Sequence, residues 1–200
     1  YYGAPALTNV SGYLQTDQDE GFIRFATENF AMDFPRLYPQ GWQFEHAEGQ
    51  IDWQIGEAVR VFGQDLMLRK GSSEVFGEFD VLLHNTPEDD LFYLNVAVKD
   101  VYDPFGLTLV PERILRPEIV QWLKQSIQQA HVKEGGFIYD GSLLLNAENP
   151  VRAATTHLML DIDNSQLKFL PEWPAVEDLT AKLFVDGTEL RSEVISARYL

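Results

Sequence analysis

Two long runs of strict alternation decide what this chain can become. Val75, Gly77, Phe79, Val81 and Leu83 point one way, and Phe76, Glu78, Asp80 and Leu82 the other. After the acidic turn Pro87-Glu88-Asp89-Asp90 the pattern repeats, with Phe92, Leu94, Val96 and Val98 on one side. A period of two belongs to a β-strand with one apolar face. Ile51, Trp53 and Ile55 alternate with Asp52 and Gln54 in the same way.

Further strands follow from the same reading and from the turns between them. Leu7 to Gln15 and Phe22 to Met32 flank Asp17-Gln18-Asp19-Glu20-Gly21, and Val59 to Phe62 and Leu66 to Leu68 flank Gly63-Gln64-Asp65. Beyond Glu28 the apolar positions change phase to Phe30, Met32 and Phe34, which predicts a bulge or kink near Glu28-Asn29. From Ala153 to Asp163, Thr156, Leu158, Leu160 and Ile162 share a face, and Leu179 to Val185 and Leu190 to Tyr199 form a hairpin around Asp186-Gly187. No stretch reads as a βαβ unit. Strands that are neighbours in sequence then pair as an antiparallel meander, so the expected fold class is mainly β.

One stretch breaks the pattern. Ile119, Trp122, Leu123, Ile127 and Ala130 fall on one stripe of an α-helix. Pro111 and Pro117 suit its first turn, and Glu112 and Glu118 suit the positive end of its dipole. Gly135-Gly136 releases the chain into a strand from Phe137 to Leu145. The expectation is one amphipathic helix near residues 112–130, dividing strands over 1–109 from strands over 132–200. Such a helix either plugs one end of the β-structure or caps an opening beside a long sheet.

The 200 residues are enough for one domain with a sizeable core. A net charge of -16 opposes binding to nucleic acid or to an anionic membrane surface, and no basic run offsets it. No run approaches the ~20 apolar residues that span a bilayer, so any membrane contact is expected through parts outside this sequence. The start at Tyr1-Tyr2-Gly3, without Met, reads as a segment cut from a longer protein, whose targeting signals would lie elsewhere.

Candidate chemistry is sparse. With no Cys there is no disulfide framework or thiolate metal site. His46, His84, His131 and His157 are scattered, and His157 and Asp161 on one strand stand about 13 Å apart, too far to share a metal unaided. Asp161, Asp163, Ser165 and Glu172 have EF-hand spacing, but Gln166 stands where that loop needs Gly, and strands flank it. Acidic pairs such as Asp17 with Glu20, or Asp100 with Asp103, match a glycosidase acid and base only in a way that any acidic chain does. No metal, cofactor or catalytic residue is expected.

The order of several elements resembles a known family. Leu109-Val110-Pro111 precedes a helix with Trp122-Leu123, then Val132-Lys133-Glu134-Gly135-Gly136-Phe137, a strand at Gly141, and Leu170-Pro171-Glu172-Trp173-Pro174-Ala175-Val176-Glu177-Asp178-Leu179, before the turn Asp186-Gly187. This resembles the YhdP-type branch of the AsmA-like envelope proteins along essentially the whole chain, with residues 147–156 matching only loosely. The resemblance implies a protein anchored in the inner membrane of a Gram-negative bacterium, with most of its chain in the periplasm. It implies a long antiparallel sheet curled into an open, U-shaped groove along which phospholipids pass toward the outer membrane, supporting its lipid balance and barrier. Its partners would be phospholipid acyl chains and neighbouring groove segments of the same chain.

On that implication the groove wall carries Ile51, Trp53, Ile55, Phe79, Val81, Leu83, Phe92, Leu94, Val96, Val98, Leu158, Leu160, Ile162, Leu183 and Val185, with the opposite face polar enough to meet water. Burial is worth about 0.8 kcal/mol per CH₂, so a chain of about 16 carbons leaving a bilayer needs roughly 12 kcal/mol of replacement contact. A strand of about nine residues is roughly 30 Å long and can cover such a chain. Alternation alone predicts an ordinary closed core equally well. Two other classes remain open: a β-sandwich module binding carbohydrate or protein through Trp42, Trp53 or Trp173, and a hydrolase using acidic pairs.

Overall fold

The computed structural model describes residues 5–144, 151–170, 172–187 and 189–199. The expected end of a strand at Leu145, the loosely matching residues 147–150 and Pro171 of the Trp-Pro element lie outside them. The described residues form eleven strands: β1 (Ala6–Thr8), β2 (Gly12–Thr16), β3 (Glu20–Asp33), β4 (Trp42–Ile55), β5 (Val59–Lys70), β6 (Ser73–Leu83), β7 (Leu91–Tyr102), β8 (Ile127–Ser142), β9 (Thr155–Leu167), β10 (Val176–Asp186) and β11 (Glu189–Tyr199). Two helices, α1 (Phe105–Thr108) and α2 (Pro117–Ser126), interrupt them between β7 and β8.

All strands belong to one antiparallel sheet in the order β1-β3-β4-β5-β6-β7-β8-β9-β10-β11, with β2 also pairing β3. The sheet is curled and unclosed, and β11 forms an exposed edge. A meander in which most consecutive strands are sheet neighbours is the economical outcome for a chain of alternating segments. No second sheet faces the first among the described residues, so the architecture is not the sandwich of the alternative reading.

The curl has a visible cause. Asn29, Asp65, Asp100, Asn164 and Asp178 adopt left-handed backbone conformations, with φ of 56°, 53°, 51°, 41° and 49°. Asp65, Asn164 and Asp178 sit within or beside a break in ladder register, whereas the ladders keep their register on either side of Asn29 and Asp100. A bulge adds a residue to one strand, bends it and strengthens its twist. At Asn29 the left-handed residue, without a bulge, turns Phe30 and Met32 to the side of Phe25, where they join Trp42, Phe44 and Ala47 in one cluster. The phase change read from the sequence is this kink, across which the β3–β4 ladder keeps its register. Asp65 similarly makes a single strand of the two short ones expected around Gly63-Gln64-Asp65.

The helix is shorter than its apolar stripe suggested. Pro117 starts α2 and Ser126 ends it, and Ile127 and Ala130 belong to β8. Pairing of Ile127 with Leu167, and of Val132 with both Val101 and Ile162, overrides local helix propensity from residue 127 onward. Ile119 and Trp122 are exposed, and the Trp122 indole donates to the Phe169 carbonyl oxygen at 3.1 Å. The short α1 had no sequence signal; its Phe105 is buried against the β4 cluster, while Trp42 Nε1 donates to Thr108.

Candidate functional site

Residues paired directly across antiparallel strands project from the same face. Ile51 pairs with Gly63, Gly63 with Phe79, Phe79 with Leu94 and Leu94 with Tyr139, giving one row across five strands. Trp53, Val61, Val81, Phe92 and Gly141 make a second row, and Ile55, Val59 and Leu83 a third. Leu68, Val75, Val98, Gly135, Leu160 and Leu183 make a fourth. Gly77, Val96, Phe137, Leu158 and Val185 complete the set, with Ile162 between Val132 and Ala181. The registers therefore bring every side chain expected on the groove wall to a single face.

That face is packed at one end and open along the rest. Toward the ends of β3, β5, β7 and β9, Phe30, Phe44, Val101 and Phe105 are buried, as are Ile162, Val176, Leu179 and Ala181 in a second cluster. Ile55, at the opposite end of its strand, is 48 % exposed. Between these limits, Ile51, Trp53, Phe79, Val81, Leu83, Phe92, Leu94, Val96, Val98, Leu158, Leu160, Leu183 and Val185 are only half-buried. A closed core would cover them, because facing side chains in an interior meet at crystal-like density.

Sequence reading missed part of this floor. Val61, Leu66 and Leu68 lay in segments too short to show a face, while Phe137 and Tyr139 flank Ile138 with a legible alternation. Tyr139 is buried, its hydroxyl donates to the Ser142 carbonyl oxygen at 2.6 Å, and burial pushes its phenol above the ordinary range. Trp42 is buried rather than presented, Trp53 belongs to the floor, and Trp173 is exposed.

The opposite face carries the charges. Arg60 donates to both carboxylate oxygens of Asp80, and Glu78 accepts from Tyr93 and Asn95. His46 lies between Glu28 and Glu48, whose carboxylates raise its pKa by hydrogen bonding. This face is less polar than the alternation suggested. Phe76, Ile138 and Met159 are about two-fifths exposed, and a cleft of about 440 Å³ opens between Gly136 and Phe184.

The remaining candidate groups do not converge on chemistry. His131 pairs with Asp163 and stands 3.5 Å from Asp100, its ring stacked on Tyr102, and His157 pairs with Asp186 at 3.3 Å. No group of three or more His, Asp or Glu side chains is arranged to hold a metal ion among the described residues. No helix among them is long and apolar enough to cross a membrane.

No curated protein and no solved structure matches this chain. The family model described as the YhdP protein matches residues 1–200, and the chain belongs to that family.

Proposed function

We propose that this chain is one section of a hydrophobic β-groove that carries phospholipids between the inner and outer membranes of a Gram-negative bacterium. The observation that carries the reading is the half-covered apolar floor: one continuous face of an unclosed sheet leaves Phe79, Phe92, Leu94 and Leu158 only half-buried. A contiguous exposed apolar surface of this kind marks a binding surface. Acyl chains lie on the floor, and headgroups stay at the mouth, where water reaches them. The parent protein is anchored in the inner membrane and this section lies in the periplasm, flanked by further groove segments. Its role is passive conduction, with no catalytic residue.

Site-specific photo-crosslinking in the parent protein in cells tests this directly. A photoreactive residue at Phe79, Phe92 or Leu160 yields phospholipid adducts detectable by mass spectrometry, and one at Glu78 or Asp80 on the opposite face does not. Absence of adducts at both sets, with folded and abundant protein, would show that these side chains are covered by protein instead.

A further inference from the structure

Two glycines inside strands have no structural reason to be glycine. Most of the others do. Gly49, Gly71 and Gly187 have φ in the left-handed region, while at Gly12, Gly21, Gly63, Gly135 and Gly141 an added Cβ would collide with a neighbour. At Gly77 an added Cβ would meet nothing closer than the Asn95 carbonyl oxygen at 3.8 Å, and at Gly136 only the Val96 carbonyl oxygen at 4.0 Å. The Asp65 bulge lies beside Gly77 on the next strand, yet leaves this space free.

A strand-interior glycine carries an entropic cost and loses the packing of a side chain, so it persists where something must approach the backbone closely. The two glycines sit on opposite faces. Gly77 pairs with Leu66 and Val96 on the apolar floor, with Val75 and Phe79 on either side along its own strand. Val75 packs against the buried cluster. Gly77 is therefore a notch where packed protein gives way to open floor, walled by apolar side chains on all four sides.

We infer that Gly77 is the clearance point of the groove: an acyl chain crosses the floor over this notch, and the volume at position 77 determines whether it can pass. The inference rests on the groove reading and names one residue that limits what the groove admits. Gly136 supplies a matched control, because it has equal open space, sits in a strand and faces away from the floor.

The test places photoreactive residues at Ile51 on β4 and Leu160 on β9, to either side of β6 in the sheet, in the parent protein in cells. Position 77 or 136 is changed in the same background. Phospholipid adducts on one side of β6 fall progressively through Gly77→Ala, Gly77→Val and Gly77→Trp, while Gly136→Trp leaves them unchanged. Thermal unfolding of the Ala and Val variants occurs at or above the wild-type temperature, which separates lost passage from lost fold even where the Trp variant fails to fold. Adducts unaffected by Gly77→Val and Gly77→Trp, or reduced equally by Gly136→Trp, would overturn the assignment while leaving the groove intact. Absence of adducts in the protein with glycine at both positions would overturn the groove itself, and the assignment with it.

Discussion

Phe44 of β4 meets Phe105 of α1 edge to face, with ring centroids 6.0 Å apart, although β5, β6 and β7 intervene in the sheet. The contact therefore ties β4 to the segment that follows β7, across the intervening strands, and covers one end of the open face.

Truncating either ring leaves a cavity in the buried cluster and releases α1 from β4. Phe105→Ala and Phe44→Ala should each cost about 3 kcal/mol or more, read from urea unfolding. The double variant should cost less than the sum by ~1 kcal/mol, the coupling of an edge-to-face pair. Full additivity would mean that the rings pack independently.

Gly21 pairs with Trp53, whose indole occupies the space that a side chain at position 21 would need. Gly21→Leu must push the indole off its position on the floor. The expected cost is about 1–3 kcal/mol from overpacking, accompanied by a change in Trp53 fluorescence. Ile55, two residues further along β4, keeps its exposure, so the disturbance should stay local.

The pH dependence at His46 has a definite sign. Hydrogen bonds that His46 donates to Glu28 and Glu48 raise its pKa above the ordinary value of 6.5, so the folded protein holds this proton more tightly than the unfolded chain does. The stabilisation is fully present below pH 6.5 and is lost as pH rises through the folded-state pKa. His46→Gln should therefore lower the unfolding temperature relative to wild type in mildly acidic buffer, with the gap narrowing at alkaline pH. A gap that widened with pH would contradict the assigned pairing.

Asp103 behaves oppositely to a paired carboxylate. Burial raises its pKa, and its Oδ1 has no hydrogen-bond partner. Its ionised form is thus penalised in the fold, and the penalty sets in as pH rises above the unfolded-state value. Asp103→Asn should stabilise the protein at neutral pH and lose that advantage in acid, as followed by thermal unfolding across pH.

Much of the fold was legible because alternation and strand pairing agree. Phe79, Val81, Phe92 and Leu94 share a face in the sequence and are brought into register as Phe79 with Leu94 and Val81 with Phe92. The boundaries of α2 were not legible, since Ile127 and Ala130 suit a helix locally and join β8 only because β7 and β9 supply partners. The openness of the floor was also hidden. Period two gives the side that is apolar, while its coverage depends on the curl, and the curl depends on residues such as Asp65 and Asn164 that look like solvated turn or surface positions in a linear chain.

That dependence makes Asp65 a direct probe of how the sheet curls. Its backbone is left-handed at φ 53°, its side chain is exposed, and the ladder between β5 and β6 shifts register across it. An L-residue in this conformation stores roughly 1–2 kcal/mol, less for Asp or Asn than for a β-branched side chain. Asp65→Gly should therefore be neutral or stabilising by up to ~1 kcal/mol. Asp65→Val should destabilise by about 1–2 kcal/mol, because valine resists the conformation that the bulge requires. Equilibrium unfolding measures both. Equal stability of the two variants would mean that the strand can reabsorb the extra residue. In that case Leu66 and Leu68 would swap faces with Met67, and the fourth row of the floor would break at β5.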